Sequence, residues 1–195
     1  MVDYGGKKVK RECECGMFYV SQVQTCAPER FQTPLQRRVY ETLEQLQIPF
    51  FRVDSDEAVA MEDCAAIERR LDVPMVKTLF LCGRKQRDFY LFVTAGDKPF
   101  RAGAFSAALG VARVSFAPME RMEEMLGVRT GAATLFSALL ETAGGVRIVL
   151  DREICALTWI GCSDGTTTGY VKVRTEDVLR RLLPRAGREA EIIEV

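Results

Sequence analysis

Residues 73–82 read VPMVKTLFLC, an apolar run with one lysine, Lys77, near its middle. Alternate side chains of a strand point to opposite faces of a sheet. Both faces of this run are apolar apart from Lys77 and Thr78, so the run predicts a buried strand. A buried ammonium group without a partner is costly, and Lys77 must therefore reach water, pair with an anion or lose its proton. In the wall of a pocket, it would suit an anionic ligand.

A second apolar run follows the lysine strand after a short polar turn. The turn is residues 83–88, GRKQRD, and the second run is residues 89–93, FYLFV. This spacing predicts an antiparallel hairpin, with the second run in the core rather than exposed as a surface for stacking bases. The basic side chains in and after the turn are Arg84, Lys85, Arg87, Lys98 and Arg101. They form either a phosphate-contacting patch or, more simply, a solvated charged turn.

Similar signals predict the remaining elements. Helix starts carry a hydroxyl cap or a proline and helix ends carry glycine, as at Thr33, Pro34 and Gly110. The predicted helices cover residues 34–46, 61–71, 102–109, 119–126 and 175–184, and the further predicted strands cover residues 48–53, 113–116, 146–150, 158–161 and 169–173. The residues after Pro184 form either an edge strand or a loose end.

Helices and strands mix without a repeating βαβ period, which favours the α+β class. We expect a single domain with a central mixed, mainly antiparallel sheet flanked by helices, since 195 residues suit one core. The expected division is an N-terminal extension at residues 1–32, the domain at 33–186 and a C-terminal tail at 187–195. No apolar run approaches the roughly 20 residues of a membrane span, and a secretory signal is not evident. We expect a cytoplasmic protein.

Composition excludes several kinds of chemistry. The chain contains no histidine, which excludes a Ser-His-Asp triad, a Cys-His pair and a histidine-ligated zinc hydrolase. The 27 basic and 27 acidic residues balance, so any contact with nucleic acid must be local. Cys13, Cys15 and Cys26 suggest the start of a metal site, but no second cysteine pair follows them. We expect reduced thiols, no metal and no cofactor.

Two loops are rich in small or hydroxyl-bearing residues. Residues 129–134, RTGAAT, have a permissive backbone whose amides can come close to a ligand. Residues 161–168, GCSDGTTT, connect two predicted strands. Composition alone favours an ordinary loop for the first segment and a turn for the second.

Three stretches of the chain resemble the YbaK/ProX family of prolyl-tRNA-synthetase-associated editing domains. They are VKTLFLCGRKQRDFYLFVTAGDKPF at residues 76–100, LGVARVSFAPMERMEEMLGVRTGAATLFSAL at residues 109–139 and VRIVLDREI at residues 146–154. The resemblance extends over roughly residues 34–183, and its most specific part is the lysine within an apolar strand. It implies a freestanding enzyme that acts in trans, hydrolysing mischarged aminoacyl-tRNA and removing a small amino acid such as alanine from tRNA for proline.

The resemblance also implies roles for particular residues. Lys77 falls on the family's functional lysine, which holds the terminal phosphate or the aminoacyl ester, while the terminal ribose hydroxyl of the tRNA helps to activate water. Residues 131–135 fall on the glycine-led substrate loop, and the histidine-proline positions of many relatives carry DSDE at residues 54–57 and CSDG at residues 162–165. The expected substrate-binding residues are Gly131, Ala132, Ala133, Thr134, Ser55, Ser163, Asp164 and Thr167.

The implied partners are the aminoacylated end of tRNA and prolyl-tRNA synthetase, with no DNA and no membrane. Two alternatives to a deacylase stay open. One is a relative of reduced activity that binds tRNA ends, a synthetase or an amino acid without hydrolysis. The other is an unrelated α+β domain in which Lys77 is structural, reaches solvent and has no cleft beside it.

Overall fold

The computed structural model describes residues 18–58 and 61–195. The strands are β1 (Phe50–Asp54), β2 (Val76–Gly83), β3 (Phe89–Ala95), β4 (Val114–Phe116), β5 (Val146–Asp151), β6 (Trp159–Ser163), β7 (Gly169–Arg174) and β8 (Ala190–Ile193). The helices are α1 (Pro34–Gln45), α2 (Met61–Leu71), α3 (Ala102–Leu109), α4 (Met119–Leu126), α5 (Arg152–Cys155), α6 (Thr175–Asp177) and α7 (Leu183–Arg185). Short 3-10 helices cover Leu135–Leu139 and Glu141–Ala143, and a π-helical turn, Val178–Leu182, joins α6 to α7.

The predicted helices and strands are confirmed, with ends that shift by a few residues. The start of α1 shows why the prediction worked. Thr33 caps the helix by accepting a hydrogen bond from the Gln36 backbone N–H at 3.0 Å, and Pro34 occupies the first turn. The end of α3 is a second example, since Gly110 has φ 68°, a left-handed conformation that glycine adopts without strain.

The strands form two sheets. The larger has the order β4-β2-β3-β5-β8, antiparallel from β4 to β3 and parallel from β3 to β8. The smaller has the order β1-β7-β6 and is antiparallel throughout. They meet where Met75 forms a parallel bridge with Gly161. A single α+β domain with a mixed sheet flanked by helices is therefore confirmed, and the strands divide between two sheets rather than one.

Segments near both ends of the described chain pair with these sheets. Gln24 exchanges backbone hydrogen bonds of 2.8 and 2.9 Å with Arg52 of β1. The segment after Pro184 contains β8, which adds to β5 as a parallel edge strand. Gln24 belongs to the expected N-terminal extension and β8 to the expected C-terminal tail. Parts of both segments therefore pair with the sheets of the domain.

The two faces of β2 pack against different clusters of buried side chains. Phe80 and Cys82 belong to the main core with α1, whereas Leu81 packs with Phe105 of α3. Because neighbouring residues of a strand point to opposite faces, Lys77 lies on the Leu81 face and Thr78 lies on the Phe80 face. Across residues 18–58 and 61–195, the helices are all too short or too polar to cross a membrane.

Candidate active site

The strand that carries Lys77 is buried over only part of its length. Phe80, Leu81 and Cys82 are buried, whereas the residues from Val76 to Leu79 are partly exposed. The prediction of a strand buried throughout is wrong, because only part of the outer edge of β2 has a neighbouring strand. β4 pairs only with the last part of β2, from Leu81 onward, so the earlier part has an open edge that faces a cleft.

The cleft has a volume of about 670 Å³. Its lining combines the open edge of β2 with a loop before the first 3-10 helix and with side chains from α4, α5 and the smaller sheet. Four of the predicted site residues line it: Lys77, Gly131, Ala133 and Ser163. The structure therefore brings the lysine and the glycine-led loop into one concave site.

The Lys77 ammonium is positioned by the turn that follows β3. Its Nζ donates to the Gly96 carbonyl at 3.2 Å and also to the Lys98 carbonyl. An ammonium group has three N–H donors, and within the described chain only these two acceptors bind it, which leaves one N–H for a ligand. Burial lowers the pKa of Lys77, and the nearby Asp97 carboxylate opposes that shift.

Gly96 lets this turn come close to β2. A Cβ atom built on Gly96 would lie only 2.7 Å from the Met75 carbonyl oxygen, a backbone atom that cannot easily move. A larger residue would therefore push the turn away from the strand, and with it a carbonyl that binds the Lys77 ammonium. The glycine thus contributes to the position of the charge.

The loop at residues 130–134 is anchored to the core by two residues and faces the cleft through two others. Gly131 has φ 92°, in the left-handed region, and it lines the cleft together with Ala133. Thr134 is fully buried, and its hydroxyl donates to the Ser163 carbonyl at 2.5 Å. Ala132 is also buried. Two of the four predicted loop residues therefore face the cleft, while the other two fix the loop to the core.

Asp164 lies in the core rather than in the cleft. Its Oδ2 accepts from Gln36 Nε2 at 2.8 Å and from the Tyr40 hydroxyl at 3.0 Å. Its Oδ1 accepts from the backbone N–H and the hydroxyl of Thr166 at 3.2 and 2.8 Å. Burial raises the pKa of Asp164, and these hydrogen bonds oppose the shift. The carboxylate ties the β6–β7 turn to α1, and its lone pairs are occupied by the protein.

Thr167 and Ser55 also lie outside this cleft. The Thr167 hydroxyl donates to Glu57 Oε1 at 3.1 Å, and its side chain lines a separate depression of about 450 Å³. The Ser55 hydroxyl donates to the backbone carbonyl of Asp56 at 2.7 Å. Neither residue lines the cleft with Lys77, although Thr167 lies beside the cleft loop, since a Cβ atom built on Gly131 would come within 3.6 Å of Thr167 Cγ2.

The cleft also contains polar residues that sequence reasoning missed, namely Thr78, Asp97, Glu68, Cys64 and Tyr170. The Thr78 hydroxyl is buried and has no hydrogen-bond partner among the described residues. A buried hydroxyl without a partner is uncommon and needs a reason, such as a ligand that supplies the bond. The signal was present in the sequence, because Thr78 is the one polar residue on its face of the apolar run.

The basic side chains of the hairpin turn are remote from Lys77. Arg84 lies seven residues farther along the strand, a separation of about 23 Å at the usual rise per residue. Arg84, Lys85 and Arg87 are exposed, as expected for a solvated charged turn. Lys98 is neutralised by Asp151 and Glu153, whose carboxylates lie 2.7 and 3.1 Å from its Nζ.

The cysteines of the described chain are free thiols. They are Cys26, Cys64, Cys82, Cys155 and Cys162, and burial raises the pKa of Cys162 to about 12. Residues 18–58 and 61–195 contain no group of three or more side chains that could hold a metal ion. Cys13 and Cys15, which the sequence suggested as the start of such a site, lie outside the described residues.

Comparison with solved structures supports the fold. One match is to the crystal structure of a hypothetical protein, with TM-score 0.62 and 17% identity over 80% of this chain and 98% of the other. A second is to a candidate trans-editing enzyme for prolyl tRNA synthetase, with TM-score 0.60 and 18% identity over 85% of this chain and 99% of the other. At these identities the similarity establishes the architecture.

Comparison of sequences establishes the family. The chain is 30% identical over 150 residues to prolyl-tRNA synthetase associated domain-containing protein 1 of Danio rerio, covering 76% of this chain and 81% of that protein. It is 24% identical over 157 residues to the prolyl-tRNA editing protein ProX of Acetoanaerobium sticklandii, covering 80% of this chain and 95% of that protein. The aminoacyl-tRNA editing domain matches residues 56–181, which include Lys77 and the cleft loop. The resemblance to YbaK/ProX proteins is confirmed, and the chain belongs to the aminoacyl-tRNA editing domain family.

Proposed function

We propose that this protein is an aminoacyl-tRNA deacylase that acts in trans, hydrolysing the ester of mischarged tRNA. One observation carries the proposal: the Lys77 ammonium, with one N–H available, lines the same cleft as the Gly131 loop in a chain of the editing family. The substrate we infer is tRNA for proline that carries a small amino acid such as alanine. The names of the two sequence relatives support the link to proline, and they make prolyl-tRNA synthetase a candidate partner in the cytoplasm.

The chemistry requires little from the protein. An ester is already reactive, so positioning the substrate and stabilising the developing oxyanion can be enough. In the proposed reaction, water attacks the aminoacyl carbonyl carbon, and the bond to the ribose oxygen then breaks. Lys77 and the backbone N–H groups of Gly131 and Ala133 would bind the oxyanion or the adjoining phosphate, since the Ala132 N–H already donates to the Arg129 carbonyl. The neighbouring ribose hydroxyl would help to activate the water, which fits a chain without histidine.

The lining of the cleft suits a small apolar amino acid. Met122, Ile154 and Leu157 contribute apolar surface to the same cleft as Gly131 and Ala133, where the absent and the small side chain leave room. A difference of one methylene is worth only about 1–3 kcal/mol in such a pocket. We therefore expect the enzyme to prefer alanine over larger residues by a modest factor rather than absolutely.

A second candidate function is binding of the aminoacylated tRNA end without hydrolysis. Two sequence features favour it, because the DSDE and CSDG segments occupy positions where many relatives carry histidine-proline. In the described structure, one of these segments serves the fold, since Asp164 is buried and hydrogen-bonded to α1. A protein that has exchanged functional side chains for structural ones could retain affinity for the ligand and lose turnover.

Amino-acid release from a panel of charged tRNAs separates the two functions. The panel consists of tRNA for proline carrying alanine, serine or proline, with alanine on its own tRNA as the control for correct charging. If the protein is a deacylase, we expect it to release alanine from tRNA for proline at least tenfold faster than it releases proline from the same tRNA, and the rate on alanine's own tRNA shows whether the rest of the tRNA is read. Binding of the mischarged species without release from any member would instead identify the non-hydrolysing relative.

A further inference from the structure

One exposed aromatic ring borders the cleft. The described chain exposes five large apolar side chains, and Phe116, at 62% exposure, is the one that lines the cleft with Lys77. The apolar run at residues 89–93 is buried, as the sequence predicted, so its rings cannot stack against a ligand. Phe116 is therefore the exposed ring of the cleft that is free to contact a ligand.

The backbone and a neighbouring ring hold Phe116 in place. Phe116 pairs with Leu81 in the sheet, and the next residue, Ala117, donates its N–H to the Phe80 carbonyl at 2.9 Å. The Phe100 ring lies 5.6 Å away, tilted by 59°, and Phe100 in turn contacts the fully buried Phe105. The ring is therefore supported from the core side while its other side is open to solvent, which reduces the entropy lost when a ligand binds.

Phe116 and Lys77 lie on the same face of the larger sheet. Residues directly opposite each other in an antiparallel pair share a face, as Phe116 does with Leu81. Lys77 and Leu79 share that face as well, and four residues of strand separate Lys77 from Leu81 by about 13 Å. The side chains of Thr78 and Phe80 point to the other face, toward the main core. The open edge of β2 thus divides the cleft into two parts.

The two parts differ in chemistry. On one face of β2 lie a cation and an exposed aromatic ring, Lys77 and Phe116. On the other face lie the apolar side chains of Met122 and Leu157, which pack with the main core. An aminoacylated nucleoside has the same division, since a flat base lies at one end and the amino-acid side chain at the other.

We propose that Phe116 is the stacking platform for the adenine base that ends every tRNA. This inference rests on the proposed function, because it takes the aminoacylated end of tRNA as the ligand. Exposed aromatic rings bind unpaired bases through their π faces, and no hydrogen-bond readout is needed for a terminal base that does not vary. With the base on Phe116 and the ester at Lys77, the aminoacyl group passes the open edge of β2 and enters the apolar part beside Gly131.

The test compares two RNA minihelices that carry alanine through a non-hydrolysable 3′-amide, one ending in adenosine and one with an abasic ribose at that position. Loss of one stacked base is expected to weaken binding by between about 5-fold and about 150-fold. We expect wild type to bind the abasic minihelix more weakly than the adenosine-ended one by this factor. We expect the same loss for Phe116→Ala with the adenosine ligand, and no further loss when this variant meets the abasic ligand. Phe116→Tyr should bind like wild type.

Met119→Ala is the matched control, since Met119 is equally exposed at 62%, is apolar and lies three residues away. It should bind both ligands as wild type does. An unchanged affinity of Phe116→Ala, or an equal loss on both ligands, would overturn the inference. Release of alanine from the matching esters is measured in parallel. Binding that depends on the base, without release of alanine, would overturn the proposed deacylase activity but not the role of Phe116. Release of alanine that does not depend on Phe116 would overturn the role of Phe116 but not the deacylase activity.

Discussion

Replacing Lys77 with alanine is expected to lower kcat/KM for release of alanine from mischarged tRNA by about 100-fold or more. Removing one group that stabilises a developing oxyanion typically costs a factor of about 100 to 1,000. The fold should survive, because Lys77 is partly exposed and its Nζ donates only to carbonyls of a surface turn. The measurement is the initial rate of amino-acid release, together with a thermal unfolding curve for each protein.

Two further variants make this result interpretable. Lys77→Met keeps an unbranched side chain of similar length and removes the charge, so it should be as inactive as Lys77→Ala if the ammonium is what matters. Lys85→Ala removes an exposed cation from the far turn of the same hairpin and should retain wild-type activity. Turnover by Lys77→Ala at the wild-type rate would remove the lysine from the mechanism.

Replacing Asp164 with alanine is expected to produce the largest loss of stability of any change at the predicted site. The variant leaves Gln36, Tyr40 and the Thr166 backbone N–H without their acceptor in a buried region. Each unsatisfied buried donor costs about 1–3 kcal/mol, so we expect a loss of about 3 kcal/mol or more in the free energy of unfolding. For a chain of this length that corresponds to a fall in Tm of about 6–12 °C.

Burial of the ionised Asp164 carboxylate destabilises the native state, so its removal offsets part of the expected loss in the free energy of unfolding but does not cancel it. Its pKa is raised by burial, so the native state is penalised for holding the ionised carboxylate. Removing the carboxylate relieves that penalty, but three donors then lose their hydrogen bonds. Asp88→Ala, at an exposed position in the hairpin turn, is the control and should change stability by less than about 0.5 kcal/mol. Equal denaturation midpoints for Asp164→Ala and wild type would refute the structural role.

Local patterns were sufficient to predict most of the secondary structure. The β2–β3 hairpin follows from two apolar runs separated by a polar turn, and the pairing places Val76 opposite Ala95 as the turn position requires. The start of α1 follows from the Thr33 cap and Pro34. Such signals depend on residues close together in sequence, and for that reason they can be read without a structure.

Other features depend on contacts between distant segments. The two sheets remain separate because a single bridge, Met75 to Gly161, joins them. The open edge of β2 has a similar origin, because β4 pairs with β2 only from Leu81 onward. The role of Asp164 could not be predicted, because its partners Gln36 and Tyr40 lie more than a hundred residues away. The exposure of Phe116 has the same origin, since an apolar residue at a strand end is equally compatible with the core.

We infer that the acylated end of tRNA binds between Lys77 and the loop at residues 131–133. The most direct test is the structure of the protein bound to adenosine carrying alanine through a 3′-amide, which cannot be hydrolysed. The predicted result places the aminoacyl carbonyl oxygen within about 3 Å of Lys77 Nζ or of a backbone N–H of that loop. Binding elsewhere, such as in the cavity of about 280 Å³ lined by Phe92, Phe100 and Phe105, with no contact to Lys77, would contradict the claim.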